Sequence, residues 1–153
     1  MQVETDGQLK KQLERLVESQ KLSEQERDCI RILDIRRFVD SGLGQRMKNA
    51  AVQRRLYREQ PFVIQRSAAM LDDLWQGETV LVQGIIDAYF VEDGEIVLVD
   101  YKTDRVRRGQ EQKLIDLYHV QLEDYARALE RMTGKRVKEK IIYSFTLQKE
   151  ILL

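Results

Sequence analysis

The sequence predicts an α/β domain, with a helical amino-terminal region (residues 1–55) and an α/β core (residues 56–153). Leucines recur at helical spacing near the start, strand-like runs flank Asp93-Gly94, and a long amphipathic segment follows them. The chain has 153 residues, 42% hydrophobic and 34% charged, so it can bury one core and is too short to expect two. A single domain spanning residues 1–153 is therefore predicted.

Helices are predicted throughout the amino-terminal region. Residues from about Gly7 to Ser19 place leucines on one helical face. Ser23 followed by Glu26 is a capping-box pattern, which predicts a second helix that runs through Leu33. A third helix is predicted to bury Ile35, Phe38 and Val39 and to end or bend at Gly42 and Gly44, before a polar helix around Lys48 to Arg55.

The predicted sheet begins after these helices. Tyr57 to Gln65 shifts toward alternation, and Pro61 within it is typical of an edge or irregular strand, because proline cannot donate a ladder hydrogen bond. Val80 to Val91 and Glu95 to Thr103 are predicted to form a hairpin around Asp93-Gly94, a strong two-residue turn signal. A helix from Gln112 to Met132, ended by Gly134, and a last strand from Val137 to Leu147 complete the prediction.

The two-residue turn fixes the register that we predict for the hairpin. If Glu92 pairs with Glu95, opposed residues have numbers that sum to 187. This rule sets Asp87 opposite Asp100 and Ile85 opposite Lys102, all on one face. That face also carries Tyr89, Val91, Ile96 and Leu98, and the other carries Ile86, Ala88, Phe90, Val97, Val99 and Tyr101. Both faces are largely apolar, so both strands are predicted to be covered on both sides.

Asp87 and Asp100 are thereby predicted to be two carboxylates that face each other inside apolar strands. Such a pair, with Cβ atoms roughly 5 Å apart, is destabilising unless something compensates. Mg²⁺ is a natural compensation, because it takes one or two carboxylates, waters and substrate phosphate as ligands. Lys102 on the same face would place an ammonium beside the metal, where it could orient a water or neutralise charge on phosphorus. The alternative is an ordinary surface charge cluster, which the apolar runs around the acids argue against.

An acid on one strand and Asp-Xaa-Lys on the next, here Asp87 and Asp100-Tyr101-Lys102, resemble the PD-(D/E)XK nuclease superfamily. Gln121 and Tyr125 on the following helix resemble the Gln-Xaa-Xaa-Xaa-Tyr motif of its RecB-type subfamily. Over nearly the whole chain, the order of motifs is similar to the carboxy-terminal nuclease domains of AddA-type helicase–exonuclease subunits. The resemblance implies a restriction-endonuclease-like core, in which helices flank a central mixed β-sheet.

The resemblance also implies an activity and a set of site residues. The activity would be that of a Mg²⁺-dependent DNA exonuclease domain in an ATP-dependent helicase–nuclease that resects double-strand breaks for recombinational repair. Mn²⁺ or Ca²⁺ would substitute for Mg²⁺ in binding. Asp87 and Asp100 would bind the metal with the carbonyl of Tyr101, Lys102 would be the catalytic lysine, and Gln121 and Tyr125 would complete the catalytic set. Glu59 lies where related nucleases carry a further acid.

One feature departs from that family. Its members carry a histidine on an earlier helix, whereas no histidine precedes Glu59 and the single one, His119, lies on a later helix. We therefore expect a fragment that lacks the upstream helix with the family histidine. The alternative function is a catalytically inactive fragment, or a nuclease-fold module that binds DNA or a partner. The expected partners are DNA, the helicase domains of the same parent polypeptide and an AddB-like partner subunit.

Support for DNA binding from charge is local. Lys+Arg and Asp+Glu are equal at 26 each, so the chain as a whole carries no excess of basic residues. Arg105 and Lys113 follow the strand that carries the second acid, where positive charge would meet a DNA backbone, and His119 is a further candidate for phosphate contact. A plain solvated basic loop is the alternative for these residues.

Cysteine usage and hydropathy indicate the compartment. The single cysteine, Cys29, excludes an intramolecular disulfide and an iron–sulfur cluster in this chain, which fits a reducing cytoplasm. No apolar run reaches the length of a membrane span, so a cytoplasmic protein without membrane contact is expected. Cys29 is expected to be a small core residue, and Trp75 with residues 70–74 to serve packing or an interface.

Overall fold

The computed structural model describes residues 6–67 and 79–153. Its helices are α1 (Asp6–Glu18), α2 (Glu24–Cys29), α3 (Ile32–Asp40), α4 (Gly42–Val52) and α5 (Glu111–Thr133). Its strands are β1 (Leu56–Ser67), β2 (Thr79–Glu92), β3 (Glu95–Lys102), β4 (Val137–Ser144) and β5 (Lys149–Leu152). The stretch around Trp75, predicted to serve packing or an interface, lies outside the described residues. Within those residues, no helix combines the length and hydropathy needed to cross a membrane.

The strands form one mixed sheet in the order β1-β2-β3-β4-β5. Neighbouring strands are antiparallel except β3 and β4, which are parallel and joined by α5. Parallel neighbours need a crossover, and α5 provides it over one face of the sheet while α4 packs on the other. The predicted α/β architecture with a mixed sheet is confirmed, and β1 lies at an edge, as Pro61 indicated.

The core is centred on β3, which is covered on both faces. Its residues 96–99 have no accessible surface. On one side they pack with α5, in a cluster that includes Ile96, Leu98, Leu114, Leu122 and Leu129. On the other they pack with α4, in a cluster that includes Val97, Val99, Leu43, Met47 and Phe90. A continuous apolar run is typical of such a doubly covered strand, so the prediction is confirmed for β3. It is wrong for the first half of β2, where Leu81 is 70% and Ile85 is 58% exposed.

The second helix is shorter than predicted. Its capping box is present, because Ser23 Oγ accepts the Glu26 N–H at 3.1 Å and Glu26 Oε2 accepts the Ser23 N–H at 2.8 Å. The two residues after Cys29 are extended, however, so α2 ends there and α3 begins at Ile32. None of the six residues of α2 is buried, and the prediction that Cys29 belongs to the core is wrong.

Gly42 and Gly44 open α4, although the sequence suggested that they end the preceding helix or bend the chain. Ser41 caps α4 directly after α3 ends, and its Oγ accepts the Gly44 N–H at 3.1 Å. Gly44 packs so closely on α3 that an added Cβ would lie 2.1 Å from the Phe38 carbonyl oxygen. The absence of a side chain at Gly44 is therefore what lets the two helices meet at a tight corner.

Left-handed residues end several elements. Asp93 and Gly94 have φ of 54° and 84° and form the predicted two-residue turn. Gly134, at φ 69°, ends α5 as predicted. The last predicted strand, Val137 to Leu147, is in fact two strands, because a turn that includes Gln148 at φ 52° separates β4 from β5.

Arg46 on α4 ties that helix to two strands through a network of ion pairs. Its guanidinium donates to the Glu92 carboxylate at 3.0 and 2.7 Å and to the Glu139 carboxylate at 2.9 Å. Lys138 Nζ donates to Glu92 at 2.8 Å. The hydrogen bonds from Arg46 and then Lys138 lower the pKa of Glu92 to about 2.

The charge on Glu92 is expected to stabilise the fold in neutral solution and to lose this effect in acid. Its folded-state pKa lies below the ordinary value of 4.5, so the stabilisation is complete above that value and is lost as the pH falls towards about 2. Glu92→Gln should therefore lower the free energy of unfolding by about 1 kcal/mol at pH 7. The loss should not be much larger, because ion pairs that are partly exposed to solvent stabilise a fold only weakly. Urea unfolding at pH 7 and pH 3, followed by circular dichroism, measures the difference.

The difference should be smaller at pH 3 than at pH 7. It should also shrink at pH 7 in about 1 M salt, where the screening length falls to about 3 Å. A difference that is independent of both pH and salt would show that the Glu92 charge does not stabilise this corner of the fold.

Candidate active site

The hairpin of β2 and β3 follows the predicted register from the turn to Ala88 and Val99, and departs from it at Asp87 and Asp100. Five pairs, from Glu92 with Glu95 to Ala88 with Val99, sum to 187 as predicted. The ladder ends there, so Asp87 is not a ladder partner of Asp100. Ile85 likewise is not paired with Lys102, and its side chain is 58% exposed. These two predicted pairs are wrong, because the strands separate at the acids.

Both β1 and β2 lose their regular alternation at the level of Asp87. Ile86 and Tyr89 belong to the same core cluster, on the α5 side, although residues three apart in a regular strand point to opposite faces. The prediction that placed Ile86 on the opposite face from Tyr89 is therefore wrong. Glu59 of β1 lies at the level of Asp87, since the residues on either side of it pair with Ala88 and Ile86, and its φ is 49°. Such strained backbone is typical of functional sites.

Where the ladder stops, the side chain of Asp87 forms a hydrogen bond with the backbone of β3. Its Oδ2 accepts the backbone N–H of Tyr101 at 2.9 Å. A carboxylate thus receives a donor from the neighbouring strand, beyond the last ladder pair. This bond fixes Asp87 beside the peptide that joins Asp100 to Tyr101, so the two acids are held together even though they are not paired in the ladder.

Asp100 is buried, with 2% of its surface exposed, and it faces the ammonium of Lys102. Lys102 Nζ lies 2.7 Å from Asp100 Oδ2, so the two groups form a buried ion pair. Burial raises the pKa of Asp100, the Lys102 ammonium opposes that shift, and the charge of Asp87 adds to it. The site therefore holds a desolvated carboxylate with spare capacity to accept a ligand.

Helix α5 carries Gln121 and Tyr125 on the side of the sheet where Lys102 lies. Lys102 Nζ donates to Gln121 Oε1 at 3.1 Å. Tyr125 is 9% exposed and packs edge-to-face on Phe62 of β1, with ring centroids 5.1 Å apart. Burial raises the pKa of Tyr125, and the charges of Asp100 and Asp87 raise it further. The structure thus gathers Asp87, Asp100, Lys102, Gln121 and Tyr125 in one place.

The remaining predicted residues lie on the surface around this cluster. Arg105 is exposed in the loop after β3, and Lys113 and His119 are exposed on α5. His119 Nδ1 lies 3.1 Å from the Asp116 carbonyl oxygen of its own helix. Glu59 is exposed as well. None of these four side chains hydrogen-bonds or ion-pairs with Asp87 or Asp100 in the described part of the chain.

Tyr118 contacts the cluster and Asp104 contacts Tyr118, and sequence reasoning assigned no role to either. The face of the Tyr118 ring lies 4.0 Å from Lys102 Nζ. Its hydroxyl donates to the two carboxylate oxygens of Asp104 at 3.0 and 3.1 Å. A signal was available, because Tyr118 lies three residues before Gln121 and seven before Tyr125, which puts all three on one face of a helix.

The donor set at the site fits a divalent cation that prefers oxygen ligands. Within the described residues, no group of three or more His, Cys, Asp or Glu side chains is arranged to hold a metal. Two carboxylates are enough for Mg²⁺, which keeps several waters and is commonly bound through one or two acids. The buried carboxylate of Asp100, held beside Asp87, is the group that most favours such a ligand.

Comparisons with known proteins identify the family of this chain. The family model for the PD-(D/E)XK nuclease superfamily matches residues 3–151. The chain is 37% identical over 148 residues to an ATP-dependent helicase/nuclease subunit of Clostridium novyi, covering 94% of this chain and 12% of that protein. It is 44% identical over 139 residues to the protein of the same name from Acetivibrio thermocellus, covering 88% of this chain and 11% of the relative. The chain thus spans about one eighth of the length of these relatives. It belongs to the PD-(D/E)XK nuclease superfamily.

Proposed function

We propose that this chain is a Mg²⁺-dependent DNA exonuclease domain. The observation that carries the proposal is the buried Asp100 carboxylate, which faces Lys102 and lies beside Asp87 where β2 and β3 separate. A fold needs no such group for stability, because burying a carboxylate is costly. The names of the relatives, helicase/nuclease subunits, support a nuclease role for this part of the sequence.

Asp87, Asp100 and the carbonyl of Tyr101 would hold the cation in this proposal. When bound, Mg²⁺ would neutralise charge on the scissile phosphate and lower the pKa of a bound water. Mn²⁺ or Ca²⁺ would also bind, because they too prefer oxygen ligands. The hydrogen bond from the Tyr101 N–H keeps Asp87 in position for this role, and the core around β3 keeps Asp100 there.

Lys102 is proposed as the catalytic lysine. Its ammonium would orient the attacking water or neutralise charge that develops on the phosphate oxygens. Gln121 accepts a hydrogen bond from this ammonium, which limits the positions it can take. Tyr125 would place its hydroxyl beside the acids, within reach of the substrate. Glu59, at the level of Asp87 on β1, is proposed as an additional acid.

DNA would approach from the side of the loop after β3. Arg105, Lys113 and His119 are exposed there and on α5, so they are proposed to contact phosphates. We further propose that residues 1–153 form one nuclease domain of a helicase–nuclease, in which it resects double-strand breaks for recombinational repair. The helicase domains of the parent polypeptide and an AddB-like subunit would be its partners, in the cytoplasm.

The proposal is tested by incubating the protein with end-labelled single- and double-stranded DNA, with Mg²⁺ or with EDTA. Mg²⁺-dependent release of nucleotides is expected from the wild-type protein. No release is expected with EDTA, or from Asp87→Asn, which keeps the size of the side chain and removes its charge. Asp40→Asn is the matched control, because Asp40 is an exposed acid on α3, and its activity should equal that of the wild type.

Two results would overturn the proposal. The first is equal cleavage by wild type and Asp87→Asn, which would place the activity elsewhere. The second is no cleavage by the wild type under any metal condition. If that second result came with DNA binding that survives EDTA, it would support the alternative of a binding module.

A further inference from the structure

The ammonium of Lys102 is held on three sides. Asp100 Oδ2 lies 2.7 Å from Nζ, Gln121 Oε1 accepts a hydrogen bond at 3.1 Å, and the Tyr118 ring faces Nζ at 4.0 Å from its centroid. Only 14% of the Lys102 side chain is exposed. A lysine side chain has a flexible stem of four carbons and is usually mobile. The neighbours of Lys102 must therefore restrict its ammonium to this position.

Tyr118 is itself held in place from the opposite end. Its hydroxyl donates to both oxygens of Asp104, which follows Lys102 by two residues in the chain. Tyr118 and Gln121 are three residues apart on α5, so one helix face presents a ring and an amide to the same ammonium. Burial, and then the bond to Asp104, raise the pKa of Tyr118, which keeps the phenol protonated and donating.

We propose that Tyr118 is a positioning residue for Lys102, and that Asp104 fixes the ring over the ammonium. This inference rests on the proposed function, in which Lys102 acts on the phosphate. A ring face attracts a cation without neutralising it, so the ammonium stays in place and keeps its charge for the substrate. The Asp104 carboxylate, which accepts the phenolic O–H, makes the ring more electron-rich and strengthens this attraction.

A cation–π role for Tyr118 requires an aromatic ring, whereas a packing role does not. Packing alone would be satisfied by any apolar side chain of similar size. Tyr118→Leu keeps apolar bulk and removes the ring, whereas Tyr118→Phe keeps the ring and removes the bond to Asp104. Leu117→Ala changes an exposed neighbour on the same helix and serves as the matched control.

Cleavage kinetics with Mg²⁺ and single-stranded DNA form the first test. Tyr118→Leu should lower kcat about tenfold and leave KM within about twofold, because a cation–π contact at a desolvated site has about this worth. Tyr118→Phe and Asp104→Asn should each lower kcat about threefold, since the ring remains but is less firmly held. Leu117→Ala should match the wild type. Equal kcat for Tyr118→Leu and wild type would overturn the inference.

A second test does not depend on activity. In metal-free protein labelled with ¹³C-lysine, the ε-methylene protons of Lys102 should be shifted upfield by the ring current, and Lys102→Arg identifies their signal. The shift should persist in Tyr118→Phe and disappear in Tyr118→Leu. Its absence from the wild type would overturn the inference. A wild type that shows the shift but does not cleave DNA would count against the proposed function while supporting the contact between Tyr118 and Lys102.

Discussion

Asp100→Asn is expected to abolish DNA cleavage, with kcat at least about 1000-fold lower, while the protein stays as stable as the wild type or becomes more stable. Activity should be lost because the amide provides neither the negative charge nor the second anionic oxygen that a divalent cation requires. Stability should be kept because the carboxylate is costly to bury. A change that destroys function and spares the fold is the signature of a residue kept for chemistry.

The expected direction of the stability change follows from the pKa of Asp100. That pKa is raised in the folded protein, mainly by burial, even though the Lys102 ammonium opposes the shift. A raised folded-state pKa means that the wild type gains stability from this group in acid and loses it as the pH rises through the folded-state pKa. At pH 7 the ionised form is therefore unfavourable, and a neutral amide of the same size removes that cost.

Thermal unfolding at pH 7 in EDTA, together with the cleavage assay, measures both effects. Glu95→Gln is a suitable control, because Glu95 lies in the same hairpin at the turn, away from the acids, and its carboxylate pairs with the exposed Arg136 at 3.6 Å. It should cleave DNA at the wild-type rate. If Asp100→Asn unfolds well below the wild-type temperature, the carboxylate supports the fold and its loss of activity says nothing about chemistry.

Gly44→Ala is expected to lower the free energy of unfolding by about 3 kcal/mol, at the upper end of the cost of overpacking. The added Cβ would lie 2.1 Å from the Phe38 carbonyl oxygen and 2.7 Å from that of Val39. Both are backbone atoms of α3, so the strain cannot be relieved by rotating a side chain. The corner between α3 and α4 must open, and α4 carries Leu43 and Met47 into the core against β3.

Gly42→Ala is the matched control, two residues earlier on the same helix. Its Cβ would meet only Glu150 Oε1, at an ordinary 3.6 Å. Alanine favours a helix more than glycine does, so this variant should be within about 1 kcal/mol of the wild type or slightly more stable. Urea denaturation compares the three proteins. Equal losses in both variants would mean that helix propensity, and not the contact with α3, governs this corner.

Much of the fold could be predicted because its signals are local. Asp93-Gly94 defined the hairpin, Pro61 marked the edge strand, and Gly134 marked the end of α5, all from the chemistry of single residues. The grouping of the five central side chains was expected from the resemblance to the PD-(D/E)XK nuclease superfamily, and Gln121 does contact Lys102. The register counted outward from the turn did not place the two acids, because the ladder ends at Ala88 and Val99.

The remaining features depend on contacts that periodicity does not contain. The ladder between β2 and β3 ends at Ala88, where the Asp87 carboxylate accepts the Tyr101 N–H, and the backbone of Glu59 on β1 has a positive φ at the same level. The break after Cys29 carries no glycine or proline signal, because the two extended residues there are Ile30 and Arg31. Tyr118 was missed because a tyrosine on an apolar helix face usually means packing.

The five grouped side chains all lie between residues 87 and 125, in a hairpin and the helix that follows it. Bringing them together requires the closure of short loops only, so little chain entropy is lost in assembling the cluster. The amino-terminal helices and β5 add support from outside without contributing any of these five groups. One contiguous stretch of sequence therefore carries all five grouped side chains. Genetic recombination that transferred this stretch intact would transfer the five residues together.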